Sequence, residues 1–440
     1  MSTKSSQPMF NDEDLSQRIV ISGGTLVSEG KLVQADLAFQ NGLIVEIGQS
    51  LTGDLVLDAS DRYVSSGFVD LHTHLREPGK EEAETIETGS RAAALGGYTA
   101  VVAMPNTDPA QDSVMVVEFV RNAGVQAGLC DVFPSGCITI GRQGVQLAPF
   151  AELANVGVHL FTDDGNGVQD PLLMRRALEY ARDLDITLAQ HCEVARLTEG
   201  AVMHEGECCS HLGLPGWPSI AEELMVHRDI ELVRLTGSRM HFLHLSTAKS
   251  VEMVRAAKKE GLPITAEVTP HHISLTDELL TGFDPIFKVN PPLRTKDDIA
   301  ALHKGLGDGT IDAVATDHAP HADHTKQLPL DSAPPGMLGL QTALAVTNTA
   351  VSLSPVQVVE LFSVNPARIA GIQEAHGRPL KVGEPAHLAV WDLSSVWTVS
   401  KDDMVSKSRN TPYHAMSLKG QVHHTVFAGQ VVVQEGSALR

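Results

Sequence analysis

Short apolar runs broken by turn residues open the chain: RIVISGGTLV, ADLAFQNGLIVEIG and DLVLD, between Arg18 and Asp61. Runs of this length bounded by Gly, Asn and Asp predict a small antiparallel β unit. The same texture returns in AHLAVWDL and VHHTVFAGQVVVQEG, from Ala386 to Gly436. Two β-rich ends around one large middle predict a composite β-sandwich, residues 1–65 with 371–440, which the chain leaves and re-enters.

The middle, residues 66–370, alternates two periodicities. Eight β-like runs occur in order: GFVDLHTH, TAVVAMP, CDVFPSG, GVHLFTDD, ITLAQH, MHFLHLS, ITAEVTP and DAVATDH. Between them lie segments with apolar residues three and four apart, such as ETIETGSRAAALG, DPLLMRRALEYARDL, IAEELMVHRDIELVRLTG and AKSVEMVRAAKKEG. Eight β/α alternations over roughly 300 residues predict an α/β fold of the (β/α)8 TIM-barrel type. A doubly wound open sheet is the alternative, but no G-x-G-x-x-G follows the first strand.

Composition narrows the function classes. With 42% hydrophobic residues and no apolar run approaching the roughly 18–20 residues of a membrane span, the 440-residue chain reads as globular, with no membrane association. Its 33 Lys+Arg against 54 Asp+Glu give a net charge of −21, a surface that repels nucleic-acid phosphate. Twenty histidines in a chain with 4% aromatics suggest metal or acid/base chemistry, with surface histidines as the plainer reading. Five cysteines without C-x-x-C or disulfide-like spacing fit a reducing compartment. The start, MSTKSSQPMFNDEDL, reads as a short flexible tail and not a secretion signal, so the expected location is the cytoplasm.

In a (β/α)8 barrel the active site lies at the C-terminal ends of the strands, and polar residues cluster there. Strand one ends in Asp70, His72 and His74, strand two in Asn106, and strand four in Asp163 and Asp164. Strand five ends in His191, strand six in His244, and strand eight in Asp317 and His318. Residues i and i+2 of a strand share a face, so His72 and His74 can reach one metal, although an H-x-H pair alone is as often structural. With His191, His244 and Asp317 at other strand ends, convergence on a cation explains the set. Imidazole nitrogen with carboxylate oxygen suits Zn²⁺ best, with Mn²⁺ or Co²⁺ as alternative occupants.

Weaker signals carry two readings each. Arg76 either meets an anionic ligand or faces solvent from a loop. Asn106 in MPNTDP is a site residue or a turn residue, and Lys288 and Asn290 in KVNPPLRT share that ambiguity. His321 is a substrate donor or an exposed loop histidine. His271 and His272 read as packing beside the ligands, Cys208 and Cys209 as structural residues of a loop-like stretch, and Arg175 and Arg176 as a solvated helix face. The acidic residues of GKEEAETIE read as capping and solvating the first helix.

From FVDLHTHLREPG (68–79) onward the chain resembles the amidohydrolase superfamily and, within it, the bacterial type-I dihydroorotase family. MPNTDP (104–109), FTDDG (161–165), QHCE (190–193), HLSTAKS (244–250), AEVTPHH (266–272), NPPLR (290–294) and ATDHAPH (315–321) are spaced as in that family, so the resemblance spans essentially the whole chain.

The resemblance implies reversible cyclisation of N-carbamoyl-L-aspartate to L-dihydroorotate, a step of pyrimidine biosynthesis. It implies His72, His74 and Asp317 as ligands of one metal and His191 and His244 as ligands of a second, one or two Zn²⁺ per subunit. Arg76, Asn106 and His321 match the positions that hold the substrate carboxylate. Asn290 and the backbone at Pro335 and Gly336, in PPGMLG, match contacts to the ring, and Asp317 the proton shuttle. Many relatives bridge two metals with a carboxylated strand-four lysine, but no lysine occurs here between Lys80 and Lys249. Asp163 or Asp164 fills the position; adjacent strand residues face opposite ways, and spacing to His191 favours Asp164. The missing lysine argues against an allantoinase or hydantoinase, and the filled ligand positions argue against a catalytically silent subunit of an aspartate transcarbamoylase complex. A homodimer or larger homo-oligomer, with or without a transcarbamoylase partner, is the implied assembly.

Overall fold

The computed structural model describes residues 15–439. The expected N-terminal tail therefore lies, up to Asp14, outside the described residues. Seven short strands come first: β1 Ile19–Ser22, β2 Thr25–Ser28, β3 Lys31–Gln34, β4 Asp36–Gln40, β5 Leu43–Gly48, β6 Leu55–Asp58 and β7 Tyr63–Ser66. β1, β4, β5 and β6 form one sheet in the order β5-β4-β1-β6. The antiparallel expectation needs correcting in two places, because β6 returns parallel to β1 and β7 parallel to β2. Each returns after an intervening crossover, which a parallel neighbour requires and a hairpin cannot supply.

The middle of the chain carries the next ten: β8 Phe68–Thr73, β9 Tyr98–Ala103, β10 Asp131–Pro134, β11 Leu160–Phe161, β12 Thr187–Gln190, the short pair β13 Met203–His204 and β14 Gly216–Trp217, then β15 Met240–Phe242, β16 Ile264–Val268 and β17 Ala313–Val314. All eight β-like runs of the middle overlap one of these strands, β13 and β14 being additional. Strands β8, β9 and β10 make one parallel sheet, and β11, β12, β15, β16 and β17 another. Single parallel bridges connect their edges on both sides, Gly136 with Phe161 and Thr73 with His318. Burial on both faces explains runs such as the fully buried FVDLHT and YTAVVA, which do not alternate.

Helices between these strands follow their sequence signals. Pro171–Asp183 starts on an Asp170 cap whose side chain accepts from the Leu172 and Leu173 amides, with proline in the first position where no donor is needed. It buries Met174, Ala177, Leu178 and Ala181, one face at three- and four-residue spacing. Ala248–Lys259 is capped by Thr247 and buries Val251, Val254 and Ala257 in the same way. The stretch around Cys208 and Cys209 is a short helix, Glu207–Leu212, and not a loop; its polar residues face outward while Cys209 is buried.

The last strands are β18 Leu388–Thr398, β19 Ser417–Phe427, β20 Gln430–Gln434 and β21 Ser437–Ala438. They join the N-terminal strands in a seven-stranded sheet, β21-β20-β19-β18-β7-β2-β3. One core lies between this sheet and the four-stranded one, with Ile21, Leu37 and Phe39 from the start of the chain against Leu388, Val390 and Val426 from its end. Ala389, Trp391 and Val422, from β18 and β19, point the other way into the main core with Phe68, Tyr98 and Phe362. The terminal strands thus pack directly on the part of the chain that carries the polar strand ends.

Candidate active site

The ends of β8, β11, β12, β15 and β17 bring four histidines and two aspartates together, all at most 5% exposed. Asp164 is central. Its Oδ2 lies 3.2 Å from His72 Nε2 and 3.4 Å from His74 Nε2, while its Oδ1 lies 3.3 Å from His191 Nδ1 and 3.4 Å from His244 Nε2. One carboxylate thus divides its two oxygens between two pairs of imidazoles. Asp317 Oδ1 approaches the first pair, 3.0 Å from His74 Nε2 and 3.5 Å from His72 Nε2. Asp163 turns away and accepts from the Ile138 and Thr139 amides, both at 2.9 Å.

The outer nitrogen of three rings has an acceptor of its own. His72 Nδ1 meets Glu267 Oε1 at 2.9 Å, His74 Nδ1 meets Asn106 Oδ1 at 2.9 Å, and His191 Nε2 meets Glu193 Oε2 at 2.9 Å. These acceptors can take each ring's proton and leave a lone pair facing inward, the tautomer a metal ligand needs. Inside the cluster, among the described residues, the inward nitrogens face one another and carboxylate oxygens. His72 Nε2 is fully buried and, beyond its 3.2 Å approach to the Asp164 carboxylate, has no hydrogen-bond partner among the described residues, and His191 Nδ1 and His244 Nε2 face each other at 3.0 Å. Converging nitrogen lone pairs and carboxylate oxygens fit a divalent cation such as Zn²⁺. Two overlapping groups have ligand atoms close enough to share an ion, His72 with Asp164 and His244, and His72 with His74 and Asp317.

Electrostatics agree. Burial alone drives His72 toward neutrality, yet Asp164 and Asp317 lift it well above its usual value. Burial also opposes protonation of His191, but Asp164 and Glu193 raise it to about 10. Asp164 is held well below the usual carboxylate range, burial being overcome by the surrounding histidines. A site that draws protons onto buried imidazoles this strongly is one that a divalent cation neutralises by replacing them.

Backbone conformation aims three of these side chains. Arg76, His244 and Asp317 have φ of 63°, 30° and 43°, the left-handed region that costs a non-glycine residue about 1–3 kcal/mol. Asp70 holds no such position. Buried in β8, it accepts from the Thr316 amide at 2.8 Å and hydroxyl at 2.6 Å, tying β8 to the end of β17, and burial raises its carboxyl to about 6.

A cavity of about 220 Å³ opens over the cluster, lined also by Arg76, Asn106, Asn290, His321, Pro335 and Gly336. This is below the roughly 300–1,000 Å³ of pockets for drug-sized ligands, so it suits a single small ring. Arg76 is 7% exposed and donates from Nε to Pro320 O at 3.1 Å; burial lowers its guanidinium to about 10, which leaves it cationic at neutral pH. His321 Nε2 lies 2.7 Å from Pro335 O, and burial with Arg76 and Lys326 nearby pushes its ring down to about 2. The neutral ring spends its one N–H on Pro335, so donating to a ligand requires releasing that carbonyl. Lys288 stays outside the cavity and donates from Nζ to Leu330 O at 2.7 Å and Asp331 O at 3.1 Å.

Several supporting residues are absent from the sequence reading. Glu267 was signalled only as a charge inside the buried strand ITAEV, and Glu193 only by its place two residues after His191. Glu84 corrects the expectation for GKEEAETIE: it does not solvate a helix but is fully buried, bonded to His318 Nε2, Thr88 and Ser406. Thr85, not an acidic residue, caps the helix Ile86–Leu95. Glu84 exchanges water for those partners, which hold its carboxylate below its usual pKa although burial alone would raise it.

Comparison with known proteins gives the family. Residues 61–250 match the family model described as Dihydro-orotase-like. The chain is 51% identical over 426 residues to the dihydroorotase of Mycobacterium leprae, covering 94% of this chain and 98% of that one. It is 48% identical to the dihydroorotase of Streptomyces coelicolor, covering 90% and 94%. Among solved structures, L-hydantoinase from Arthrobacter aurescens superposes with a TM-score of 0.85 at 23% identity, covering 96% of this chain and 97% of that one. Dihydropyrimidinase from Brevibacillus agri gives 0.81 at 22% identity, covering 96% of each chain. The structural likeness carries the fold, and identity near one half over almost the full length carries the family: the chain belongs to the dihydroorotase family.

Proposed function

We propose that this protein is a metal-dependent cyclic amidohydrolase that interconverts N-carbamoyl-L-aspartate and L-dihydroorotate. The observation that carries the reading is one small cavity with a buried arginine on its wall and a cluster of metal-type ligands at its floor. A ring that bears a carboxylate and a hydrolysable amide needs both. The eight strands of the middle, joined at both sheet edges by single bridges, are read as one (β/α)8 barrel, residues 66–370, with the site at its C-terminal strand ends.

His72, His74 and Asp317 would hold one cation and His191 and His244 a second, with Asp164 between them; zinc is the ion their donors suit best. When bound, such an ion lowers the pKa of water toward neutrality and polarises the ring carbonyl. Arg76 fixes the substrate carboxylate by charge-assisted hydrogen bonds. Asn106 spends Oδ1 on His74, so its amide nitrogen is the end that meets that carboxylate. Asp317 turns Oδ1 to the two histidines, leaving Oδ2 to move the proton. In hydrolysis Oδ2 takes a proton from the attacking water and hands it to the departing ring nitrogen; in ring closure the same transfers run backwards.

Ring closure consumes a proton overall, so each unit fall in pH moves the equilibrium about tenfold toward L-dihydroorotate. The test of the reading is a comparison of ring substrates with the zinc-loaded chain. L-dihydroorotate is hydrolysed, whereas allantoin and dihydrouracil, which lack the ring carboxylate, are turned over far more slowly. Faster turnover of either neutral ring refutes the assignment.

A further inference from the structure

Asn410 lies between β18 and β19, outside the strand ends that build the site, and is 2% exposed. Its side chain makes three hydrogen bonds, and all three reach the cavity wall. Nδ2 donates to Ala319 O at 2.9 Å and to Gly336 O at 3.1 Å, while Oδ1 accepts from the His321 amide at 3.2 Å. Its backbone carbonyl accepts from the Leu338 amide at 3.2 Å. The amide orientation is unambiguous, because a flipped side chain would face carbonyls with its oxygen and an N–H with its nitrogen.

These contacts bracket one residue. Ala319 and His321 flank Pro320, whose carbonyl accepts from Arg76 Nε at 3.1 Å. Gly336, on the facing segment, packs so tightly that a Cβ there would stand 2.7 Å from His321 Nε2 and 2.8 Å from Ala319 Cβ. Among the described residues neither segment lies in a helix or a multi-residue strand; the His318–Met337 bridge, His321 Nε2 at 2.7 Å from Pro335 O, and Lys326 Nζ donating to Gly336 O at 3.3 Å join them. The segment bearing Asn410 is itself anchored: the Lys407 amide donates to Glu84 Oε1 at 3.1 Å and Ser408 Oγ to Ala83 O at 2.7 Å.

We propose that Asn410 is a positioning residue for recognition of the substrate carboxylate: it fixes the Ala319–His321 segment against Gly336 and so sets where the Arg76 guanidinium and the His321 ring stand in the cavity. This rests on the reading of the cavity as a dihydroorotate site. It makes the terminal, β-rich part of the chain a contributor to substrate selection and not only a support.

The test uses the metal-loaded full chain with Asn410→Ala, Asn410→Asp and, in case these fold poorly, Asn410→Ser, which keeps one donor. In Asn410→Ala the KM for L-dihydroorotate rises about tenfold, as expected for one or two lost hydrogen bonds, while kcat changes less than about threefold. Metal per chain is unchanged. Asn410→Asp, with a carboxylate against two carbonyls, is at least as impaired, and Asn410→Ser falls between. Binding of orotate, which carries the carboxylate, weakens in parallel, and binding of uracil, which lacks it, does not. A lowered thermal midpoint with KM and orotate affinity unchanged would overturn the proposal. If the unaltered chain fails to turn over L-dihydroorotate, the function assignment fails instead. Amide exchange at His321 and Leu338 then still decides the positioning role: faster exchange at His321 in Asn410→Ala supports it, and an unchanged rate refutes it.

Discussion

Replacing Glu267 by glutamine changes one atom in a fully buried carboxylate and tests how the metal ligands are oriented. Glu267 accepts from His72 Nδ1 through Oε1 at 2.9 Å and from His241 Nε2 through Oε2 at 3.0 Å. Burial alone would raise its carboxyl, yet these two histidines hold it at about 2, so it is an anion at any working pH. An amide can accept at only one end. If its NH₂ faced His72, that ring would move its proton to Nε2 and lose the lone pair aimed at Asp164 and Asp317. The cheaper arrangement turns the NH₂ to His241, whose Nδ1 lies 2.8 Å from the Thr265 hydroxyl, a group able to donate or accept. His72 then keeps its tautomer but exchanges a charged acceptor for a neutral one about half as strong. Mutation of such an outer partner lowers metal affinity about 10–100-fold, or roughly 1.4–2.7 kcal/mol. Zinc affinity is read by competition with a chelator, and kcat is measured at saturating zinc, where it stays within about threefold of the parent. Unchanged zinc affinity in Glu267→Gln would refute the argument that the charge of Glu267 strengthens His72 as a ligand.

Arg76→Ala raises KM for L-dihydroorotate at least about 100-fold, the loss of a charge-assisted anion contact, and leaves zinc per chain unchanged by elemental analysis; lost zinc contradicts the assigned role. Asp317→Asn reduces turnover in both directions at least about 100-fold, and more than a few percent residual activity rules out a proton shuttle at that residue. Lys326, pushed down by burial to about 7, binds a proton more weakly folded than unfolded. Between its folded value and its ordinary value near 10.5 the unfolded chain holds the extra proton, so stability rises with pH by up to about 1.4 kcal/mol per unit. The difference in unfolding free energy between the parent and Lys326→Met, followed from pH 7 to 10, should show this rise; a flat difference contradicts it.

Local pattern made much of the scaffold legible. A run such as YTAVVA is buried on both faces, and its lack of apolar–polar alternation reports that directly. His72 and His74 could be paired in advance because strand alternation puts them on one side. The two aspartates of FTDDG face opposite ways, Asp164 toward the histidines and Asp163 toward the Thr139 amide, although both lie beyond the end of β11, where strand alternation no longer dictates it. What pattern could not supply were contacts between distant stretches. Glu84 looked like one of several helix-capping acids because nothing local reveals that Ser406 and His318 close over it. Asn410 gives no local signal at all, since its three partners lie in the stretch 319–336. The parallel return of β6 onto β1 escaped similarly, because runs of equal texture do not reveal pairing direction.

The central claim is that the cluster around Asp164 holds the cations on which ring hydrolysis depends. Zinc titration of the metal-stripped chain, with bound zinc and L-dihydroorotate turnover followed together, tests it most directly. Turnover should be absent at zero zinc, rise with occupancy and reach its plateau where binding saturates. Full turnover in the stripped protein, or none in the fully loaded one, would contradict the account.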